Sequence, residues 1–172
     1  YAREGVGLSY PIVRSRRGNV VAHTDFDVIS ETQDTRITGT PQPLSADRLR
    51  VLRLGLDASG DVGHGARAGI NFEFSQGLDA LGARSANEAT AIKPLSRQGA
   101  DAQFSKFNAQ ASAQFQFDSG AVFSTVVDGQ ISVGDPLVRS EQYAPIGPTG
   151  FSGPPPSAIV GDSGATVRFE MQ

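Results

Sequence analysis

The stretch FNAQASAQFQF, residues 107–117, decides how the chain is read. Phe107, Ala109, Ala111, Ala113, Phe115 and Phe117 fall on one side of a two-residue period. Asn108, Gln110, Ser112, Gln114 and Gln116 fall on the other. Strict alternation over eleven positions is what a β-strand with one apolar and one polar face requires, and no helical period fits it. The aromatics stand near the ends of the apolar face and alanines fill its middle.

The same pattern recurs in both directions. Before this strand it is found at 3–13 (Val6, Leu8, Tyr10, Ile12), 20–28 (Val20, Ala22, Thr24, Phe26, Val28), 50–59 (Leu52, Leu54, Leu56, Ala58) and 66–75 (Ala68, Ile70, Phe72, Phe74). After it come 123–133 and 165–172. That predicts seven strands and no helix. The connections at 16–19, 60–65 and 118–120 are short, and those at 31–47, 76–100 and 134–160 are long. Short and long links in strict alternation predict an up-and-down antiparallel meander with all long loops at one end. This is the pattern of a transmembrane β-barrel crossed by tilted strands of about ten residues. A one-sided antiparallel sheet in a soluble protein gives the same alternation, and the absence of Trp counts against a barrel's aromatic girdles.

Composition limits the chemistry. There are no cysteines and only two histidines, so thiol chemistry and a transition-metal centre are not expected. A net charge of -3 gives no reason to expect a nucleic-acid partner. No apolar run reaches the length of a spanning helix, which leaves strands as the route into a membrane. The chain opens on Tyr1 without an initiating Met, and is expected to be an excerpt of a longer protein.

The last long connection, 134–160, carries Pro136, Pro145, Pro148, Pro154, Pro155 and Pro156. It re-enters a strand at Gly161-Asp162-Ser163-Gly164. Loops of this length inside a compact domain are uncommon unless functional or disordered. Ile146, Phe151, Ile159 and Val160 predict a packed loop, since a solvated linker has no use for them.

Two resemblances follow from these motifs. The series GQ, DPL, SEQ, Gly150-Phe151, GDSG and a Glu on the next strand resembles the haemolysin and haemagglutinin secretion/activation proteins, the outer-membrane transporters of two-partner secretion. So do Tyr10-Pro11-Ile12-Val13-Arg14-Ser15, Gln76-Gly77-Leu78 and Phe104-Ser105-Lys106-Phe107, in the same order. The resemblance implies a partial chain of about seven strands from a sixteen-stranded barrel of a Gram-negative outer membrane. Two periplasmic POTRA domains and the closing strands would lie outside it. It implies translocation of a secreted haemagglutinin- or haemolysin-like partner, contact with outer-membrane lipids, and neither cofactor nor catalysis. It further implies that the loop folds into the lumen with its tip at Pro148, Thr149, Gly150 and Phe151. The family's Val and Arg at the tip are replaced here by Pro148 and Thr149. A barrel-assembly protein of the same superfamily is the near alternative. The second resemblance is of GDSG to the nucleophile motif of chymotrypsin-like serine proteases, with Ser163 and His23 in the required chain order. The protease pattern's second Gly and Pro are replaced by Ala165 and Thr166.

Overall fold

The computed structural model describes residues 1–37, 40–145 and 159–172. Seven strands form one antiparallel sheet in chain order: β1 (Ala2–Arg14), β2 (Gly18–Ile37), β3 (Thr40–Gly63), β4 (Ala66–Gly77), β5 (Ser105–Gln116), β6 (Val122–Val133) and β7 (Gly164–Met171). Single 3₁₀ turns at Ala86–Glu88 and Arg139–Glu141 are the helical elements among the described residues. None of the described helices is long and apolar enough to cross a membrane.

The register explains why the two faces differ. Leu54, Phe74, Phe107 and Ile131 form one cross-strand row, and Ala58, Ile70, Ala111, Val127 and Val167 form another. All of these lie on the apolar face, where Ile70, Ile131 and Val167 are more than half exposed. Aromatic pairs mark its two ends. Phe74 and Phe107 stand with ring centroids 5.0 Å apart at one, Phe115 and Phe117 at 4.9 Å at the other. Eight residues of strand separate these clusters, roughly 27 Å, close to the apolar band of a barrel with girdles at both edges.

The short turns follow from local chemistry. His64 and Gly65 both have positive φ, the type I′ geometry that matches strand twist in a two-residue hairpin. The strand therefore continues to Gly63, beyond the expected end at residue 59. A bulge between Pro11 and Val13 places Val13 opposite Val20. Val13 thus joins Val20 on the apolar face. Pro11 is tolerated in β1 because the ladder is irregular there.

The polar loop expected at 31–47 is instead mostly a β-hairpin. β2 and β3 stay paired as far as Ile37 and Thr40, with one irregularity at Gln33/Asp34. Pro41 and Pro43 read as breakers in the sequence. Pairing of β3 with β4 stops at Val51–Gly77, so beyond it β3 has no strand on that side, and an N–H missing there costs no ladder bond. The hairpin exceeds the roughly ten residues of a membrane crossing by a wide margin.

The long connection at 76–100 is not a free outer loop. Leu78 N–H donates to Arg50 O at 2.8 Å, Arg84 N–H to Arg48 O at 2.8 Å, and Ala46 N–H to Pro94 O at 3.0 Å. It covers the edge of β3 where β4 has ended. The connection also brings in Ala83, Ala100, Ala102 and Phe104, which pack with Ile29, Leu49 and Val51 of the hairpin and Leu137 and Val138 of the last long loop. The core of the chain is therefore on the inner face, at the long-loop end of an otherwise polar surface. Ile159 and Val160, expected inside the packed loop, are half-exposed. Among the described residues of that loop, Leu137 and Val138 at its other end are fully buried.

A direct test of face assignment is Ala111→Arg in the intact parent protein, expected to cost about 2–4 kcal/mol near the bilayer midplane. Gln110→Arg, on the inner face, should be much milder. Reversible unfolding in lipid measures both, and equal costs would contradict the assignment.

Candidate functional site

Arg53, Ser75, Lys106 and Ser132 stand in one cross-strand row on the inner face. Arg53 and Lys106 are both buried, so each needs a countercharge. Glu141 supplies it to both. It comes from the 3₁₀ turn at the start of the last long loop and is itself 3% exposed. Its Oε1 accepts from Arg53 Nη2 at 2.7 Å and its Oε2 pairs with Lys106 Nζ at 2.8 Å. Both carboxylate oxygens are thus charge-paired.

The pairing continues sideways. Arg53 donates Nε to Asp27 Oδ2 and Nη1 to Ser75 Oγ, both at 2.7 Å, and Glu73 lies 3.5 Å from Nη1. Asp27 also takes Arg3 Nη2 at 2.7 Å. Three cations (Arg3, Arg53, Lys106) therefore meet three carboxylates (Asp27, Glu73, Glu141). On the other flank, Gln130 donates Nε2 to Glu141 O and to Asp162 O, each at 3.0 Å. Gln130 Oε1 accepts from Lys106 Nζ at 3.2 Å and Asn108 Nδ2 at 2.9 Å. A single side chain of β6 thereby holds both limbs of the long loop.

The re-entry motif is a clamp. Tyr143 and Gly161 exchange two backbone bonds, at 2.7 and 3.0 Å, which close the two ends of the loop on each other. The Tyr143 ring then lies on Gly164, where a Cβ would come within 2.6 Å of the ring. Only glycine leaves room for it. The Tyr143 hydroxyl donates to Asp128 O at 3.3 Å and accepts from Thr166 Oγ1 at 3.0 Å. Burial raises its pKa above the ordinary tyrosine value. Asp162 pairs with Arg97 of the preceding long connection and accepts from Leu137 N–H at 3.3 Å. Ser163 Oγ accepts from Ser132 N–H at 3.0 Å.

Gly161, Asp162, Ser163 and Gly164 are thus brought together as a structural junction. The expected tip, Pro148, Thr149, Gly150 and Phe151, lies outside the described residues, as does Ile146. His23 and Ser163 are not brought together. His23 shares a cross-strand row with Gly164, five strand spacings away, on the order of 20 Å. Its Nδ1 faces Asp57 Oδ2 at 3.2 Å. Two of the three residue types of a triad are present there, but the nucleophile is not within reach.

Sequence reasoning did not single out Arg53, Lys106, Glu141, Gln130 or Tyr143. The available signal was ionic residues at inward positions of strands whose other inward residues are small or neutral. Which would be buried depends on a turn 35 residues beyond Lys106 reaching back to it.

Gly164→Ala is expected to cost about 1–3 kcal/mol through overpacking against Tyr143. Tyr143→Ala should remove most of that cost, so the double variant should be strongly non-additive. Additive costs in reversible unfolding would show that the ring does not rest on this glycine.

The comparisons with known proteins agree with this architecture. The family model of the haemolysin secretion/activation protein ShlB/FhaC/HecB matches residues 2–172. Among solved structures, CdiB from Escherichia coli is similar in fold, with a TM-score of 0.72 at 21% identity. The alignment covers 98% of this chain and 30% of that one, so the chain spans less than a third of CdiB. No curated protein matches. A seven-stranded meander with an outward apolar face, matched along nearly its whole length, is a segment of a transmembrane β-barrel, and the chain belongs to the haemolysin secretion/activation family.

Proposed function

We propose that the intact protein is an outer-membrane translocator of Gram-negative bacteria that exports a partner protein through its barrel, and that the loop 134–160 acts as a plug within it. The observation that carries this reading is the docking of the loop's first limb onto the inner wall through Glu141, between Arg53 and Lys106. A barrel serving only as an anchor has no need to seat a loop on its polar face.

The inner face suits an unfolded polypeptide. Towards the short-turn end it forms an open trough of about 540 Å³ whose lining includes Arg67, Ser112, Gln114 and Ser124. Hydroxyl, amide and charged groups there exchange hydrogen bonds with a passing backbone as water does. The roles of the groups are then separable. Outward apolar residues hold the barrel in lipid, inward polar residues give a conduit, and the Glu141 and Tyr143 contacts position the plug. The loop tip at Pro148, Thr149, Gly150 and Phe151 is proposed to seat in the lumen. Thr149 lacks the family's Arg at this point, so the tip is held without its charge-assisted bond and exchanges readily. The proposal includes no catalytic step, no cofactor and no nucleic acid; its partners are a secreted haemagglutinin- or haemolysin-like protein and membrane lipid. It places POTRA domains and closing strands in the remainder of the parent protein.

Photo-crosslinking of a stalled partner tests the reading. A crosslinker at Gln110 should capture the partner in transit, while one at Ala111, on the opposite face of the same strand, should not. Capture at neither position, or equally at both, would overturn it, as would secretion of the partner in cells lacking the protein.

A further inference from the structure

Beyond the membrane crossing, the inner face of the β2–β3 hairpin carries Glu31 directly opposite Asp47, and Gln33 directly opposite Ser45. Two like charges in facing cross-strand positions repel and destabilise the pair. Asp47 is nonetheless 1% exposed. One of its oxygens, Oδ1, accepts from Ser96 N–H at 2.9 Å. The other, Oδ2, is buried without a hydrogen-bond partner, and so is Ser45 Oγ two residues away on the same face. A buried carboxylate oxygen and a buried hydroxyl left unpaired together are costly.

The neighbouring cation does not relieve them. Arg84 is buried beside the hairpin but directs its guanidinium to main-chain carbonyls, those of Ala46 at 2.5 Å, Pro94, Glu88 and Lys93. Among the described residues Glu31 has no ion pair either; Gln33 Nε2 reaches its Oε1 only at 3.4 Å. Two carboxylates and a hydroxyl thus share one face of the hairpin, and among the described residues no cation pairs with them.

We propose that Glu31, Ser45 and Asp47 form a binding site for a divalent, oxygen-seeking cation of the Ca²⁺ class. Facing cross-strand residues have Cβ atoms about 4.5–5.5 Å apart, a span over which two carboxylates converge on one ion at the usual 2.3–2.6 Å. Two carboxylates balance the charge of one divalent ion. The absence of thiol and imidazole ligands favours a hard cation over a transition metal. With two carboxylates the site belongs among weak extracellular calcium sites, with dissociation constants of about 0.1–1 mM. Occupancy would also reach the loops. Ser96, bound to Asp47 through its N–H, accepts Arg139 N–H on its hydroxyl at 3.0 Å, next to the turn that carries Glu141.

The test is equilibrium dialysis of the intact protein against ⁴⁵Ca²⁺, after refolding into a synthetic detergent free of native lipid. One saturable equivalent is expected, weakened at least about tenfold by Asp47→Asn and by Glu31→Gln, and unchanged by Asp34→Asn on the exposed part of the same hairpin. Heat-modifiable gel mobility checks that each variant is folded, and Glu31→Gln carries the test if Asp47→Asn is not. No saturable binding, or binding that survives the substitutions in folded protein, would overturn the proposal.

Discussion

The carboxylate of Glu141, buried between Arg53 and Lys106, is the contact on which the arrangement of the loops depends. The three groups come from β3, β5 and the turn that follows β6; Glu141 is the carboxylate that pairs with Lys106 and is shared with Arg53, which also holds Asp27. Burying such charges is expensive, and their mutual attraction repays this only when each remaining donor is also bonded. Asp27, Ser75 and Gln130 meet that requirement. Removing one member of a buried pair typically costs about 3–5 kcal/mol because it strands the others. The contact is therefore specific to one docked position of the limb, and a shift leaves Lys106 without its carboxylate and Arg53 with one partner fewer.

Around that contact the inner face changes character along its length. At the short-turn end it is open and polar, as a conduit needs to be. At the long-loop end Ile29, Leu49 and Val51 face inward, under Phe104, Leu137 and Val138. The outward apolar face stays exposed, and apolar burial among the described residues is inside, where two connections pack on the hairpin. This places the dry core beside the charge row, lowering the local dielectric and strengthening its pairs. The clamp of Tyr143 on Gly164 then returns the chain to the sheet within a few residues of where it left.

Much of this was legible in the sequence because a two-residue period reports directly on the faces of a strand. The FNAQASAQFQF stretch and its six counterparts gave the strand order, and the alternating loop lengths gave the meander. Period cannot report on an extension whose residues are polar on both sides, so the hairpin at residues 31–47 read as a loop, with Pro41 and Pro43 seeming to break it. Nor can it foretell pairing across long separations. Glu141 was visible only within SEQ, and its partnership with Arg53, 88 residues earlier, is set by register and curvature. The GDSG motif shows how residue types alone can point two ways. Its residue types fit a nucleophile loop, yet here each serves packing or hydrogen bonding at a strand entry.

The central claim, that the Glu141 contacts hold the first limb of the loop against the inner wall, is tested most directly by protection of a cysteine at Val138, a position fully buried in the structure. In the intact protein the Val138→Cys thiol should react slowly with a membrane-impermeant maleimide. Adding Glu141→Ala should raise the labelling rate by about 100-fold or more, corresponding to loss of the lower bound of a buried ion pair. Equal protection with and without Glu141, or a thiol that labels freely when Glu141 is present, would contradict the account.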